Sequence, residues 1–562
     1  MSLIIQKAIK VCCARQYLYI FVISIVSLIL STRGISDEGI ISLNGDMPRY
    51  MMNGVYFHDL IRDLPFSNFI QYTLHYFAKY PALTLGHHPL LPGVALAPFY
   101  SILGISVFSA RLMVVAFLLL AGITFFILIK NMYDEDIALI SSLLLMTNPF
   151  LVKLSRVVMS EIPTLALMII TTYFFYRFCK SEKKIYACLF VISSVMSVYA
   201  KHTAIVMLPF FLGCFIITKG ISRLFKKDVI ISSMVIISLI LPLVPITLKF
   251  SQYNVALSKK IMVVVSKNSS EDFLGVLQYL SRIFFDILQY IWQDHFTIPF
   301  LTVSLISIII SLYRRRRNEL TFVLWIVFFF FFSVYYKAPA ARHTIYWIPA
   351  FCLLAATPIN LMKHRIWKAS ASAIIILIVG YQFMIAFRSP PEYARGYEKA
   401  AEYIVNTWKG DSVLYSSRKD TGYFIFFIRK HNKNQNMIVL RANKILATSA
   451  MNRIVGDRIQ SRREIYDTLD KFGIAYIVLE DKRFRSKALN WLREEVKSER
   501  FFLHKRIPIQ SSEPRCRDAT LDIYEYIGYT KARSDAELQM NIPLMGDSIS
   551  VRFNDLLEKK NP

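Results

Sequence analysis

Acids are scarce in this 562-residue chain: 39 Asp and Glu stand against 66 Lys and Arg, a net charge of +27. That imbalance does not point to nucleic acid, because the bases fall in short clusters between apolar runs, as the positive-inside rule places them in the cytoplasmic loops of a polytopic protein. No nucleic-acid partner is expected. Cysteine is also sparse. The seven are Cys12, Cys13, Cys179, Cys188, Cys214, Cys352 and Cys516, and none has a zinc-type or paired redox spacing, so they say little about chemistry. No fixed-period repeat appears, which argues against a solenoid. The N-terminal bases Lys7, Lys10 and Arg15 precede an apolar run from Leu18 to Leu30 without a small-residue cleavage signature, so this run is expected to stay as a first span.

What the chain has in abundance is apolar surface: 55% hydrophobic residues, 42 Phe and 31 Tyr, with a mean hydropathy of +0.42. These values exceed those of soluble domains of this length and predict a polytopic α-helical membrane protein. A span needs roughly 20 apolar residues. Eleven stretches qualify, at about 15–32, 107–130, 136–152, 160–177, 185–200, 202–218, 228–249, 298–313, 319–336, 343–361 and 368–387. Residues 185–218 are too long for one crossing, and a charge at mid-membrane costs several kcal/mol, so Lys201-His202 is expected at the turn of a hairpin. The proline-rich segment 89–106 is expected either as a broken or re-entrant helix or as a further crossing, giving about 11–13 spans.

The clusters "RFCKSEKK" (177–184), "KGISRLFKKD" (219–228), "RRRR" (314–317) and "MKHRIWK" (362–368) have consistent parity and define the cytoplasmic face. The opposite face then receives the first loop (32–88), Ser160-Glu161, Lys201-His202, the 250–297 loop, "KAPAARH" (337–343) and everything after Arg388. A transmembrane domain over 1–387 and a soluble extracytoplasmic α/β domain over 388–562 are expected. In the latter "DSVLYSS", "MIVLRA", "IAYIVLE" and "DIYEYI" read as strands, "EKAAEYIVNTW" and "SRREIYDTLDKFG" as helices, and the tail after about Lys531 as loosely held.

This topology gathers Asp46, Arg49, His87, His88, Glu161, Lys201 and Arg342 on one aqueous face, beside span ends. Polar residues congregate at interfaces in any membrane protein, but a cluster drawn from separate loops has the composition of a transfer site. An acid can deprotonate an incoming hydroxyl, and Lys or Arg can offset the charge on a departing phosphate. Because the face points away from the nucleotide pool, a lipid-phosphate donor is the economical expectation.

The chain resembles the polytopic GT-C glycosyltransferases, in particular the group similar to aminoarabinose transferase and the protein O-mannosyltransferases. "GDMPRYMMNG" (45–54) resembles their first-loop motif, an acidic pair followed by Arg-Tyr. The catalytic base then falls on Asp46, Tyr50 becomes a further candidate, and Met47 replaces the second acid, leaving Asp37-Glu38 as rival positions for the base. "GHHPLLPGVALAPFYSILGISVFSARL" (86–112) resembles the most specific family segment and places His88, with His87 as an additional candidate, where Lys often contacts donor phosphate. "SRVVMSEIPTLAL" (155–167) points to Glu161, "YAKHTAIVMLP" (199–209) to Lys201 and "ARHTIYWIPAF" (341–351) to Arg342, although His-Thr intervenes where Arg is usually followed closely by Tyr.

The resemblance implies inverting transfer of a sugar from a polyprenyl-phosphate carrier to a lipid, glycan or protein acceptor at the outer face of the cytoplasmic membrane. It assigns Asp46 as the base, Arg49, His88, Lys201 and Arg342 to the phosphate, and Glu161 to the acceptor or to a divalent cation such as Mg or Mn. Metal dependence stays open. A transporter or flippase, and an inactive relative that binds polyprenyl phosphate, are the alternatives; charges near one face and the lack of paired halves fit a transporter less well.

Overall fold

The computed structural model describes residues 3–40, 45–85, 87–245, 273–336, 340–362, 364–417, 421–450, 453–480, 486–516, 518–541 and 548–557. They separate into two compact units. The first takes in residues up to 33, 111–245 and the described residues through 391; the second takes in 34–110 and the residues from 392 onward. The first-loop residues therefore belong with the C-terminal α/β residues rather than with the main body of helices.

Among the described residues five helices are long and apolar enough to span a membrane: Val107–Met132, Glu161–Ser181, His202–Lys219, Arg317–Tyr335 and Arg365–Arg388. The predicted span 136–152 is broken into two helices, Glu135–Met146 and Pro149–Ser155, bent by 61° and together apolar enough for one crossing. Pro149 cannot donate to the preceding turn, and the Asn148 side chain accepts from the Leu151 amide 3.0 Å away, starting a new helix there. Shorter apolar helices cover Arg15–Ser31, Leu90–Leu103, Lys184–Ala200 and Ile298–Arg314. Prolines likewise divide the region read as a span at 343–361 into a 3-10 turn, Ala341–Trp347, and the helices Ile348–Ala356 and Pro358–Leu361. The 250–297 loop contains a helix, Phe273–Gln289, and a π-helical turn, Tyr290–His295; its residues up to 272 lie outside the described set.

In the first unit, buried Arg156 ties helix ends together. Its guanidinium donates to the carbonyls of Leu30 (2.8 Å), Ala386 (3.2 Å) and Ser389 (3.1 Å), so one fixed cation satisfies terminal C=O groups of two helices that have no intrahelical partner.

In the second unit, Gly45 adopts a left-handed backbone, φ 73°, just before the helix Asp46–Asp63, a conformation glycine takes without steric cost. This helix packs on Leu90–Leu103 at Gly54, where a Cβ would come within 2.6 Å of Leu96. The segment 89–106 is thus a single 14-residue helix with Pro98 inside, shorter than a full crossing needs.

The strands are β1 (Ala394–Arg395), β2 (Ser412–Ser416), β3 (Ile438–Arg441), β4 (Ala447–Ala450), β5 (Arg453–Asp457), β6 (Ile474–Glu480), β7 (Phe501–Pro508), β8 (Gln510–Ser511), β9 (Thr520–Tyr526), β10 (Glu537–Asn541) and β11 (Ser548–Arg552). The main sheet has the order β3-β2-β6-β9-β7. β3, β2 and β6 run parallel, while β9 and β7 are antiparallel additions. The parallel strands are buried throughout, as sheets covered on both faces require. Gly473, with φ 56°, closes the helix Arg463–Lys471. The described residues after Lys531 are held, contrary to expectation: β10 and β11 pair antiparallel, Leu538, Met540 and Phe553 are buried, and Lys79 donates to the Leu556 carbonyl at 3.1 Å.

The Asp46–Asp63 helix is fastened to the α/β fold by an ion pair. Arg429, on the helix Thr421–His431, donates bidentately to Asp59 at 2.9 and 2.6 Å, and Tyr76 donates to the same carboxylate at 2.7 Å. Burial by itself would raise the Asp59 pKa, but His58 and Arg429 outweigh it and hold the carboxyl below its ordinary value. Its contribution to stability is therefore complete above the ordinary value of 3.8 and is lost as pH falls through the lower folded pKa. Asp59→Ala and Arg429→Ala should each lower stability by about 3–5 kcal/mol, and the double change Asp59→Leu with Arg429→Met by less than either, because only the single changes strand a buried charge. Chemical denaturation of the detergent-solubilised chain measures this; single variants within about 1 kcal/mol of wild type would contradict the assignment.

Candidate active site

The second unit brings Asp46, Arg49, Tyr50 and His88 together. Asp46 and Arg49 stand three residues apart on one helix, hence on one face, with Arg49 Nη1 3.6 Å from Asp46 Oδ1. His88 Nε2 lies 3.8 Å from the same oxygen, and the Tyr50 and His88 rings are 4.4 Å apart between centroids. The loop carrying His88 is fixed to the helix through Asn53, whose Oδ1 accepts from the Thr84 amide at 3.0 Å, and the His88 amide donates to Thr84 O at 3.1 Å. The His87 ring lies 4.9 Å from that of His88 between centroids, tilted by 60°. Met47, which replaces the family's second acid, is buried at 1% exposure, so the missing carboxylate corresponds to an interior position.

Asp37 and Glu38, the rival positions for the base, contact residues at the start of the α/β fold. Asp37 pairs with Arg395, whose Nε donates at 2.9 Å. Glu38 accepts from the amides of Gly396 and Glu398 at 3.0 and 3.1 Å, capping the helix Tyr397–Asn406.

The first unit assembles Glu161, Lys201 and Arg342. Lys201 Nζ donates to Glu161 Oε1 at 3.0 Å, and Arg342 Nε lies 3.9 Å from that oxygen. Lys201 occupies the break between the helix Lys184–Ala200 and the 3-10 turn His202–Val206, the turn its charge predicts. His343, which the sequence reading passed over, joins this group with Nδ1 3.1 Å from Lys201 Nζ. A protonated lysine donates, so that nitrogen accepts and the ring proton sits on Nε2. The turn bearing Arg342 and His343 is positioned by His295, fully buried on the π-helical turn. Trp347 Nε1 donates to His295 Nδ1 at 3.0 Å, and His295 Nε2 donates to Ala341 O at 2.9 Å. Glu161 Oε2, also buried, has no protein hydrogen-bond partner.

The apolar helices and the α/β domain with three parallel strands have the GT-C fold, and carboxylates among Lys, Arg and His make up its candidate site. Residues 87–246 match the family model described as dolichyl-phosphate-mannose-protein mannosyltransferase. The fold is similar to apo ArnT from Cupriavidus metallidurans, with a TM-score of 0.60 and 11% identity over 92% of this chain and 99% of that one. It is similar also to ArnT bound to undecaprenyl phosphate, with a TM-score of 0.57 and 12% identity over 90% and 97% of the two chains. The Archaeoglobus fulgidus oligosaccharyltransferase in complex with Zn and sulfate matches at a TM-score of 0.51 and 13% identity, over 82% of this chain and 68% of that one. No curated protein gives a significant match.

Among the described residues no group of three or more His, Cys, Asp or Glu side chains converges as a metal site. Glu161, the carboxylate assigned to a possible divalent cation, already faces two cations within 4 Å. A divalent ion there would meet Coulomb repulsion from both with one carboxylate to offset it, so the donor set does not fit Mg or Mn. Mn titrated into the purified protein should accordingly give the same bound-ion signal by electron paramagnetic resonance for wild type and Glu161→Gln, and a signal lost in the variant would contradict this.

Proposed function

We propose that the protein transfers a sugar, with inversion, from a polyprenyl-phosphate carrier to a hydroxyl-bearing acceptor on the extracytoplasmic face of the cytoplasmic membrane. The observation that carries this reading is the first turn of the Asp46–Asp63 helix, where one carboxylate lies within 4 Å of Arg49 and His88. Asp46 accepts the acceptor's proton as its oxygen attacks the anomeric carbon, and the bond to phosphate breaks. Arg49 and His88 balance the charge that builds on the leaving phosphate. A single displacement needs one base and a stabilised leaving group, without a covalent glycosyl intermediate.

In the first unit, Lys201 and Arg342 set two positive charges against one carboxylate, and this net cation suits a phosphate ligand. Glu161 Oε2, buried without a protein partner, is assigned to accept a hydrogen bond from a substrate hydroxyl. The structural similarity to ArnT bound to undecaprenyl phosphate supports a lipid-linked donor. The similarity to the oligosaccharyltransferase tethered with an acceptor peptide keeps protein among the acceptor classes, beside lipid A and surface glycans.

Release of polyprenyl phosphate by purified protein, supplied with a panel of polyprenyl-phospho-sugars and an envelope extract, should fall about 10²–10⁴-fold in Asp46→Asn, the usual worth of a general base. A variant as active as wild type would remove Asp46 from this role. Glu161→Gln, which weakens an acceptor for a substrate hydroxyl, should retain more activity than Asp46→Asn.

A further inference from the structure

The parallel half of the soluble sheet has a topological switch point that the transfer reaction does not account for. From β2 the chain passes through the helix Thr421–His431 to β3 on one side, whereas β6 pairs with β2 on the other. In open α/β sheets the crevice outside the carboxyl ends of strands at such a point is where ligands bind.

The residues at that end are buried and polar. Ser416 ends β2 and Ser417 follows it, 2% and 3% exposed, and neither hydroxyl has a hydrogen-bond partner. Arg441 ends β3, in register with Tyr415, and Lys444 lies three residues on; they are 7% and 6% exposed. Arg441 donates to Pro81 O at 3.1 Å and to Asn443 Oδ1 at 3.2 Å, and Lys444 lies over the Phe77 ring at 4.7 Å.

Both cations also feel Arg49 of the candidate active site. Burial and Arg49 push the Arg441 pKa down to about 9, against the Tyr415 hydroxyl. Burial, Arg441, Arg49 and Arg458 push Lys444 well below its ordinary value. Like charges brought together away from water cost free energy, and folds keep such arrangements where a ligand uses them.

We propose that the carboxyl end of β2 and β3, with Ser416, Ser417, Arg441 and Lys444, is a binding site for a phosphate-class oxyanion, so that the soluble domain takes part in substrate recognition. The site deepens the glycosyl-transfer reading by adding anion contacts beyond the first loop. Two sources share this chemistry: the phosphate of the lipid donor and an anionic group on the acceptor.

The test uses the full chain in detergent, with inorganic phosphate as probe and chloride at matched ionic strength as control. Phosphate should raise the unfolding temperature of wild type, with apparent affinity at least about tenfold weaker in Arg441→Gln and partly kept in Arg441→Lys. Without phosphate, Arg441→Gln should unfold no lower than wild type, because it removes a crowded cation. Should that variant fail to fold, Lys444→Met and Ser417→Ala carry the same comparison. Asp46→Asn should keep the phosphate response while losing transfer, which separates this site from the catalytic assignment. Undecaprenyl phosphate then distinguishes the sources: weaker lipid binding in Arg441→Gln identifies the donor, and a loss confined to inorganic phosphate identifies an acceptor anion. No phosphate response in wild type, or one equal in wild type and all variants, would overturn the proposal.

Discussion

Charge taken out of water must be paired, and this constraint governs both units. In the second, Asp59 and Arg429 are 0% and 2% exposed in their side chains and join the helix that begins with Asp46 to a helix of the α/β fold. In the first, Glu161 is surrounded by Lys201 and Arg342. Isolated, each of these ions would cost several kcal/mol to bury. Paired, they fix the elements that carry the candidate chemistry, and the Asp46–Arg49–His88 group inherits its geometry from the helix so anchored.

Precision at the candidate site comes from neutral contacts as well. Asn53 holds the loop of His88 through a backbone amide, and His295 holds the turn of Arg342 and His343 through Trp347 and Ala341. Asn53 spends its side-chain oxygen and His295 both ring nitrogens on the fold, which leaves the side chains they position available for other contacts. Such division of labour is what a preorganised site requires, because donors aimed at developing charge act only when they need no rearrangement.

Much of this was legible in the sequence because it rests on period and charge. The strands "DSVLYSS", "MIVLRA", "IAYIVLE" and "DIYEYI" appear as β2, β3, β6 and β9, and the Lys201 turn follows from the cost of a charge in mid-membrane. Asp46, Arg49 and His88 meet as their motif spacing suggests. The misses have physical causes. Hydropathy counts apolar side chains and does not register that Pro149 or Pro349 divides a run into separate helices. Pairing of β10 with β11 depends on contacts rather than on local composition. His343 lies inside "ARHTIYWIPAF" but interrupts the resemblance there instead of carrying it, and Arg441 and Lys444 carry no motif. A cation at the end of a strand reads as surface until the topology shows it buried.

The central claim is direct displacement at the anomeric carbon with a single carboxylate base. The measurement that tests it most directly is the anomeric configuration of the product. Nuclear magnetic resonance of the glycosylated acceptor, formed from a donor of known configuration, should show the opposite anomer, because in the proposed reaction Asp46 removes a proton and does not bond to the sugar. A product that retained the donor's configuration would require a covalent intermediate or a second displacement, and would contradict the account.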